Sequence, residues 1–222
     1  MSYLLRLMIP DRPGALGAVA TALGEVGVDI VSLEVVERAP GVAVDDVVVM
    51  LPAGRLPDSL ITAAQAVPGV TVESLRPFAG PLDTHRELEL LEALARGAQG
   101  TAVKVLAAEL PRVFHSGWAA ILERTGGGVV EALAASDAAP SFEGLSLPWL
   151  PLAGPRLLPS EDEWLPERWS AMAIEMMAAP YGGSRTAIVL GRSGGPAFRR
   201  SELLRLAHLT GIAATVAHLP PV

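Results

Sequence analysis

Residues 3–33, YLLRLMIPDRPGALGAVATALGEVGVDIVSL, decide how this chain folds. Leu5, Leu7 and Ile9 alternate with Leu4, Arg6 and Met8, giving one apolar and one mixed face. That period of two predicts a strand in a sheet covered by helices on one side. A tight turn on Asp11, Pro13 and Gly14 follows. Pro13 suits the first helical position, where its missing N–H costs no hydrogen bond, and Gly14 lets another group approach the backbone. Leu16, Val19, Ala20 and Leu23 recur at helical spacing, Gly27 ends the helix, and a second strand opens at Asp29. The unpaired N–H groups at the helix start carry roughly half a positive charge, so a carboxylate is a natural guest. Asp11 and Asp29 would flank that mouth with negative charge, a combination suited to a zwitterion.

Outward from this stretch, Val31, Leu33 and Val35 alternate with Ser32 and Glu34, and Pro40-Gly41 makes a turn. A third strand covers residues 42–51, with Asp45 and Asp46 near its start. Leu56, Leu60, Ile61, Ala64 and Val67 mark a helix opened by Pro57 and Asp58 and closed by Pro68-Gly69, and a last strand takes residues 70–75. The order is βαββαβ. With Asp11-Arg12-Pro13-Gly14-Ala15-Leu16 after the first strand and Gly27-Val28-Asp29-Ile30 at the second, residues 1–77 resemble the ACT domain, a ferredoxin-like module that commonly binds amino acids and regulates. The resemblance implies an effector site, usually at a dimer interface, made by Asp11, Arg12, Pro13, Gly14, Ala15 and Leu16 together with Asp29 and Ile30. Where this family often has Asn, Asp29 keeps an acceptor for an ammonium group and removes the amide donor.

Pro77, Gly80 and Pro81 break the pattern, and residues 78–83 read as a linker. Thr84 with Glu87 forms a capping-box signature, followed by a helix with a Leu88, Leu91 and Ala95 stripe and a second over residues 101–111. Residues 115–122 and 129–135 flank Gly126-Gly127-Gly128 as a hairpin. Residues 136–169 hold no periodicity but carry six prolines and Trp149, Trp164 and Trp169, which suggests a lid or pocket wall. Two strands, 170–179 and 185–191, and a closing helix with Leu203, Leu204, Leu206 and Ala207 complete residues 84–222. This layout, with Met172-Ala173-Ile174-Glu175, Ala187 to Gly191 and Pro196-Ala197-Phe198 before the last helix, resembles a GAF domain. That resemblance implies a small-molecule sensor or dimerising module built on a central antiparallel sheet. The fold class expected is therefore α+β, ACT-like and then GAF-like.

Composition narrows the function. The chain has 222 residues, half of them hydrophobic, enough for two cores. A net charge of -7 without basic clusters argues against nucleic acid. The absence of Cys excludes a disulfide, a thiolate nucleophile and the Cys-dependent GAF families, and fits the cytoplasm. No stretch reads as a signal peptide or membrane span. His85, His115, His208 and His218 show no metal-ligand spacing, and no phosphate-cradling glycine motif occurs, so neither metal nor cofactor is expected. Met172, Met176 and Met177 read as core before pocket. Gly191-Arg192-Ser193-Gly194-Gly195 matches the G-x-S-x-G elbow of a serine hydrolase, but only one helix remains downstream to supply an acid and a His. The expected function is a non-enzymatic regulator that binds an amino acid or similar zwitterion, with a pure dimerisation module as the alternative and a hydrolase using Ser193 third. The apolar edge of Val31, Leu33, Val35 and Val36 predicts a homodimer. The output is expected to lie in another protein.

Overall fold

The computed structural model describes residues 1–78, 85–98, 100–161 and 163–217, which form two compact units, Met1–Leu82 and Asp83–Val222. The expected linker, apart from Phe78, and the Thr84 cap lie outside the described residues, as does His218.

In the first unit β1 (Ser2–Pro10), α1 (Ala15–Glu25), β2 (Asp29–Ala39), β3 (Val42–Met50), α2 (Asp58–Gln65) and β4 (Thr71–Pro77) follow the expected βαββαβ order. The antiparallel sheet has the order β2-β3-β1-β4. Leu5, Leu7 and Ile9 of β1 pack with Val47 and Val49 of β3 beneath Ala15, Val19 and Leu23 of α1 and Leu60 and Ala64 of α2. Each large side chain buried there contributes about 1.5–3 kcal/mol. The helix stripe is rotated from the sequence expectation. Ala15 faces the sheet while Leu16 is 37% exposed, because the helix starts at Ala15 and not at Pro13. α1 touches both β1 and β2 and so crosses β3 between them.

The second unit begins with α3 (Arg86–Arg96) and α4 (Ala102–Val113). Its buried stripe on α3 is Leu90 and Leu94, with Leu91 partly covered and Leu88 exposed, so the expected stripe was set one position off. β5 (Trp118–Arg124), β6 (Val130–Ala135), β7 (Arg156–Leu158), α5 (Glu167–Ser170), β8 (Ile174–Pro180), β9 (Thr186–Ser193) and α6 (Arg200–Val216) follow. The antiparallel sheet has the order β6-β5-β9-β8-β7. Both hairpins read from the sequence are present, while β7 and α5 were hidden in the irregular stretch, being three and four residues long. α4 and α6 cover one face through Leu106, Leu110, Leu203 and Leu206, and α3 packs against both helices. The other face is covered by the irregular stretch itself. Phe142, Leu147, Trp149, Leu150 and Trp169 pack against Trp118, Leu122, Met176 and Val189. What the sequence suggested as a lid or pocket wall is the second half of a core.

Candidate functional site

The turn between β1 and α1 is built by its Pro-Gly pair. Ala15 donates to the Arg12 carbonyl at 3.2 Å across Pro13 and Gly14, and Gly14 has φ 84° and ψ −12°. These are the dihedrals of the second central residue of a type II turn, which glycine adopts without strain. Pro13 therefore sits in the turn, two residues ahead of the helix. The Asp11 N–H donates to Gly41, tying the turn to the β2–β3 connection, and Ala18 donates to Gly14. Among the described residues the N–H groups of Gly14, Leu16 and Gly17 have no acceptor. A Cβ added at Gly14 or Gly17 would meet nothing within 4 Å, so the approach to these donors is open. Asp11, Arg12 and Pro13 are exposed around it.

Asp29 and Ile30 stand elsewhere. Asp29 lies opposite Met50, which lies opposite Ser2, whereas the turn follows Pro10, which lies opposite Val42. Within one copy the mouth and Asp29 are at opposite ends of the sheet, separated along β1 by about 26 Å at the usual rise per strand residue. The structure brings residues 11–16 together and Asp29 with Ile30, but not the two groups with each other.

The neighbouring aspartates of β3 point to opposite faces. Asp46 shares its face with Arg6, and the two make a buried, two-bonded ion pair, Nε to Oδ1 and a terminal nitrogen to Oδ2, both 2.8 Å. Asp45 pairs across the sheet with Leu7 and Val35, on the face that α1 covers, and is 4% exposed. Its Oδ1 has no hydrogen-bond partner among the described residues. Burial pushes its carboxyl above the ordinary value of 3.8; Arg38 opposes this, and Asp46 and Asp11 reinforce it. Sequence reasoning noted Asp45 without assigning it a role. The period of two does put it with Val47 and Val49, but β3 is apolar on both faces, so alternation alone does not say which face a helix covers.

In the second unit the G-x-S-x-G match is structural. Gly191, Arg192 and Ser193 continue strand β9, opposite Met176, Glu175 and Ile174, so no sharp strand-to-helix elbow forms and α6 begins only at Arg200. Arg192 is buried, donates to the carbonyls of His115, Pro196 and Phe114, pairs with Glu202 at 2.6 Å, and stacks on Phe198 with 3.9 Å to the ring centroid. Gly191 is required because the Trp118 ring lies over its α-carbon. A Cβ there would fall 2.0 Å from a ring carbon. Met176 and Met177 are core residues on opposite faces of the sheet, and Met172 is exposed. A groove of about 550 Å³ runs between α3 and α4, floored by Leu90, Ala93, Val105 and Ala108. No helix among the described residues is long and apolar enough to cross a membrane.

The family model of the ACT domain matches residues 3–69. The match lies within the first unit, an ACT domain over these residues, and the unit that follows has the five-stranded antiparallel sheet expected of a GAF-like layout. No curated protein matches the sequence. Among solved structures, the chain is similar to the GAF domain of a putative sensor histidine kinase from Pseudomonas syringae pv. tomato, at 18% identity and a TM-score of 0.42, covering 59% of this chain and 81% of that one. It is also similar to the chromophore-binding domain of Stigmatella aurantiaca bacteriophytochrome, at 11% identity and a TM-score of 0.47, over 99% of this chain and 94% of that one. A formyltetrahydrofolate deformylase from Pseudomonas putida KT2440 is similar over 44% of this chain and 39% of its own, at 16% identity and a TM-score of 0.29.

Proposed function

We propose that this chain is a non-enzymatic cytoplasmic regulator whose ACT domain binds an amino acid or similar small zwitterion and passes the occupancy to another protein. The observation that carries the reading is the open cluster of N–H donors on Gly14, Leu16 and Gly17 beside the exposed Asp11. Charge-assisted hydrogen bonds from such donors to a carboxylate are roughly twice as strong as neutral ones. The test is a thermal melt against each of the twenty amino acids. At a ligand concentration about a hundredfold above Kd, binding stabilises the folded state by about 2.7 kcal/mol and raises Tm by several degrees. If none shifts the melt, the reading fails.

The reading includes a homodimer through β2. Leu33 and Val35 on this edge strand are 39% and 46% exposed, on the side where Leu16 of α1 is exposed too. Register shifts at residues 31 and 36 leave the stretch 32–35 regular, enough for antiparallel pairing with a second copy. Such pairing would carry Asp29 of one copy to the end of the sheet where the other's mouth opens. It would remove the separation along the strand and leave about three strand spacings, roughly 14 Å, across it. Light scattering that gave a monomer mass at tens of micromolar would remove the dimer from the proposal. In the GAF-like unit, the sheet face opposite the helices is filled by Phe142, Trp149 and Trp169, which favours a scaffold or dimerising role there over ligand sensing.

A further inference from the structure

We infer that Asp45 receives the cationic group of the ligand held at the α1 mouth, within a single copy of the chain. The inference rests on the ligand site proposed above and names the residue that sets its charge requirement. Asp45 is three residues from the strand end at Val42, where the mouth opens, and lies on the sheet face that α1 crosses. It is 4% exposed, its cross-strand neighbours Leu7 and Val35 supply no side-chain donor, and its Oδ1 has no partner among the described residues. Arg38 acts on it through space without forming an ion pair, and Asp11 is close enough to repel it. A buried carboxylate oxygen without a donor is costly, and such a cost persists in natural proteins mainly where function needs it. Asp11, which acts on Asp45 through space, leads into the turn whose N–H donors on Gly14, Leu16 and Gly17 have no acceptor among the described residues. The two sets of unmet groups are complementary: the donors suit a carboxylate, and Asp45, aided by Asp11, suits a primary ammonium. Asp29, at the far end of the sheet in the same copy, is not required for this pairing.

The experiment compares the full chain with Asp45→Asn, an isosteric change, by thermal melting and calorimetric titration. The ligands are the twenty amino acids, their 2-hydroxy-acid analogues, which lack the ammonium group, and their decarboxylated amines. The expected result has two parts. Without ligand, Asp45→Asn melts at a higher temperature than the parent, because a buried unpartnered charge is gone. With ligand, the variant binds the amino acid roughly tenfold to a hundredfold more weakly while its affinity for the hydroxy acid is unchanged. If an amino acid binds and Asp45→Asn binds it as well as the parent does, the inference is overturned while the ligand site stands. If Asp45→Asn lowers the melting temperature without ligand, Asp45 is a structural residue and the inference is overturned. If no amino acid and no amine shifts the parent's melt, both this inference and the proposed ligand site fall.

Discussion

Two glycine-bearing motifs in this chain resemble functional sites on paper, and the structure treats them in opposite ways. Around Arg192 every guanidinium nitrogen has an acceptor, the charge is matched by Glu202, and the neighbouring Gly191 is filled over by the Trp118 ring. Around Gly14 three N–H groups have no acceptor among the described residues and nothing stands over the glycines, and on β3 one carboxylate oxygen of Asp45 has no donor among those residues. Closed polar groups hold a fold together. Open ones, placed together on a rigid turn, are where a ligand can complete the hydrogen bonding.

The comparison is broken most severely by Gly191→Val. Its side chain has no room beneath Trp118, so the GAF-like unit should lose more than about 4 kcal/mol, the range where single substitutions become exceptional. Urea denaturation that showed a loss under about 1 kcal/mol would contradict the packing argument. Next comes Glu202→Ala, which leaves Arg192 buried without its countercharge and should cost about 3–5 kcal/mol. Arg192→Met leaves the buried Glu202 carboxylate without its countercharge in the same way. Replacing both residues by apolar side chains should therefore cost less than the two single changes added together, and strictly additive losses in the melts would argue against an ion pair of this kind.

Smaller effects belong to the open motif. Gly14→Val places a side chain in the left-handed region at φ 84° and should cost about 1–2 kcal/mol through backbone strain, not through crowding, since the space is empty. A melt unchanged from the parent would mean that the turn is not held in that conformation. The smallest expected effect is a pH dependence. The Asp45 carboxyl has its folded value raised above 3.8, so its contribution to stability is fully present below that value and is lost as pH rises through the folded value. Asp11, Asp46 and Arg38 are the charged groups acting on it. The stability advantage of Asp45→Asn over the parent should therefore grow between about pH 3 and about pH 7. A difference that stays flat over that window would show that the carboxyl is not raised.

Much of this architecture was legible in residue order. The alternation of Leu5, Leu7 and Ile9 and the turn pairs Pro40-Gly41 and Pro68-Gly69 place the first unit's strands and helices within a few residues. The mouth was legible in part. Pro13-Gly14 announced a turn, but whether it opens a helix or forms the centre of a type II turn depends on the hydrogen bond from Ala15 to Arg12, which composition does not specify. Asp45 was visible and mute, because a strand apolar on both faces does not reveal its helix-covered side. The stretch of residues 136–169 failed for a different reason. Its buried residues, Phe142, Leu147, Trp149, Leu152 and Trp169, are spaced by irregular turns, so a core layer there leaves no period to find.

That layer also determines what light reports about this protein. Its four tryptophans are the residues at 118, 149, 164 and 169, all in the second unit. With Phe142 between them, they form a chain of edge-to-face contacts, the ring centroids separated by 5.8 Å from Trp118 to Phe142, 5.1 Å on to Trp169, 6.5 Å to Trp164 and 5.7 Å to Trp149. The ACT domain has Tyr3 and no indole. Emission excited at the red edge of the absorption band thus belongs to the GAF-like unit alone, and circular dichroism in the peptide region sees both. A melt followed both ways separates the unfolding of the two units without cutting the chain.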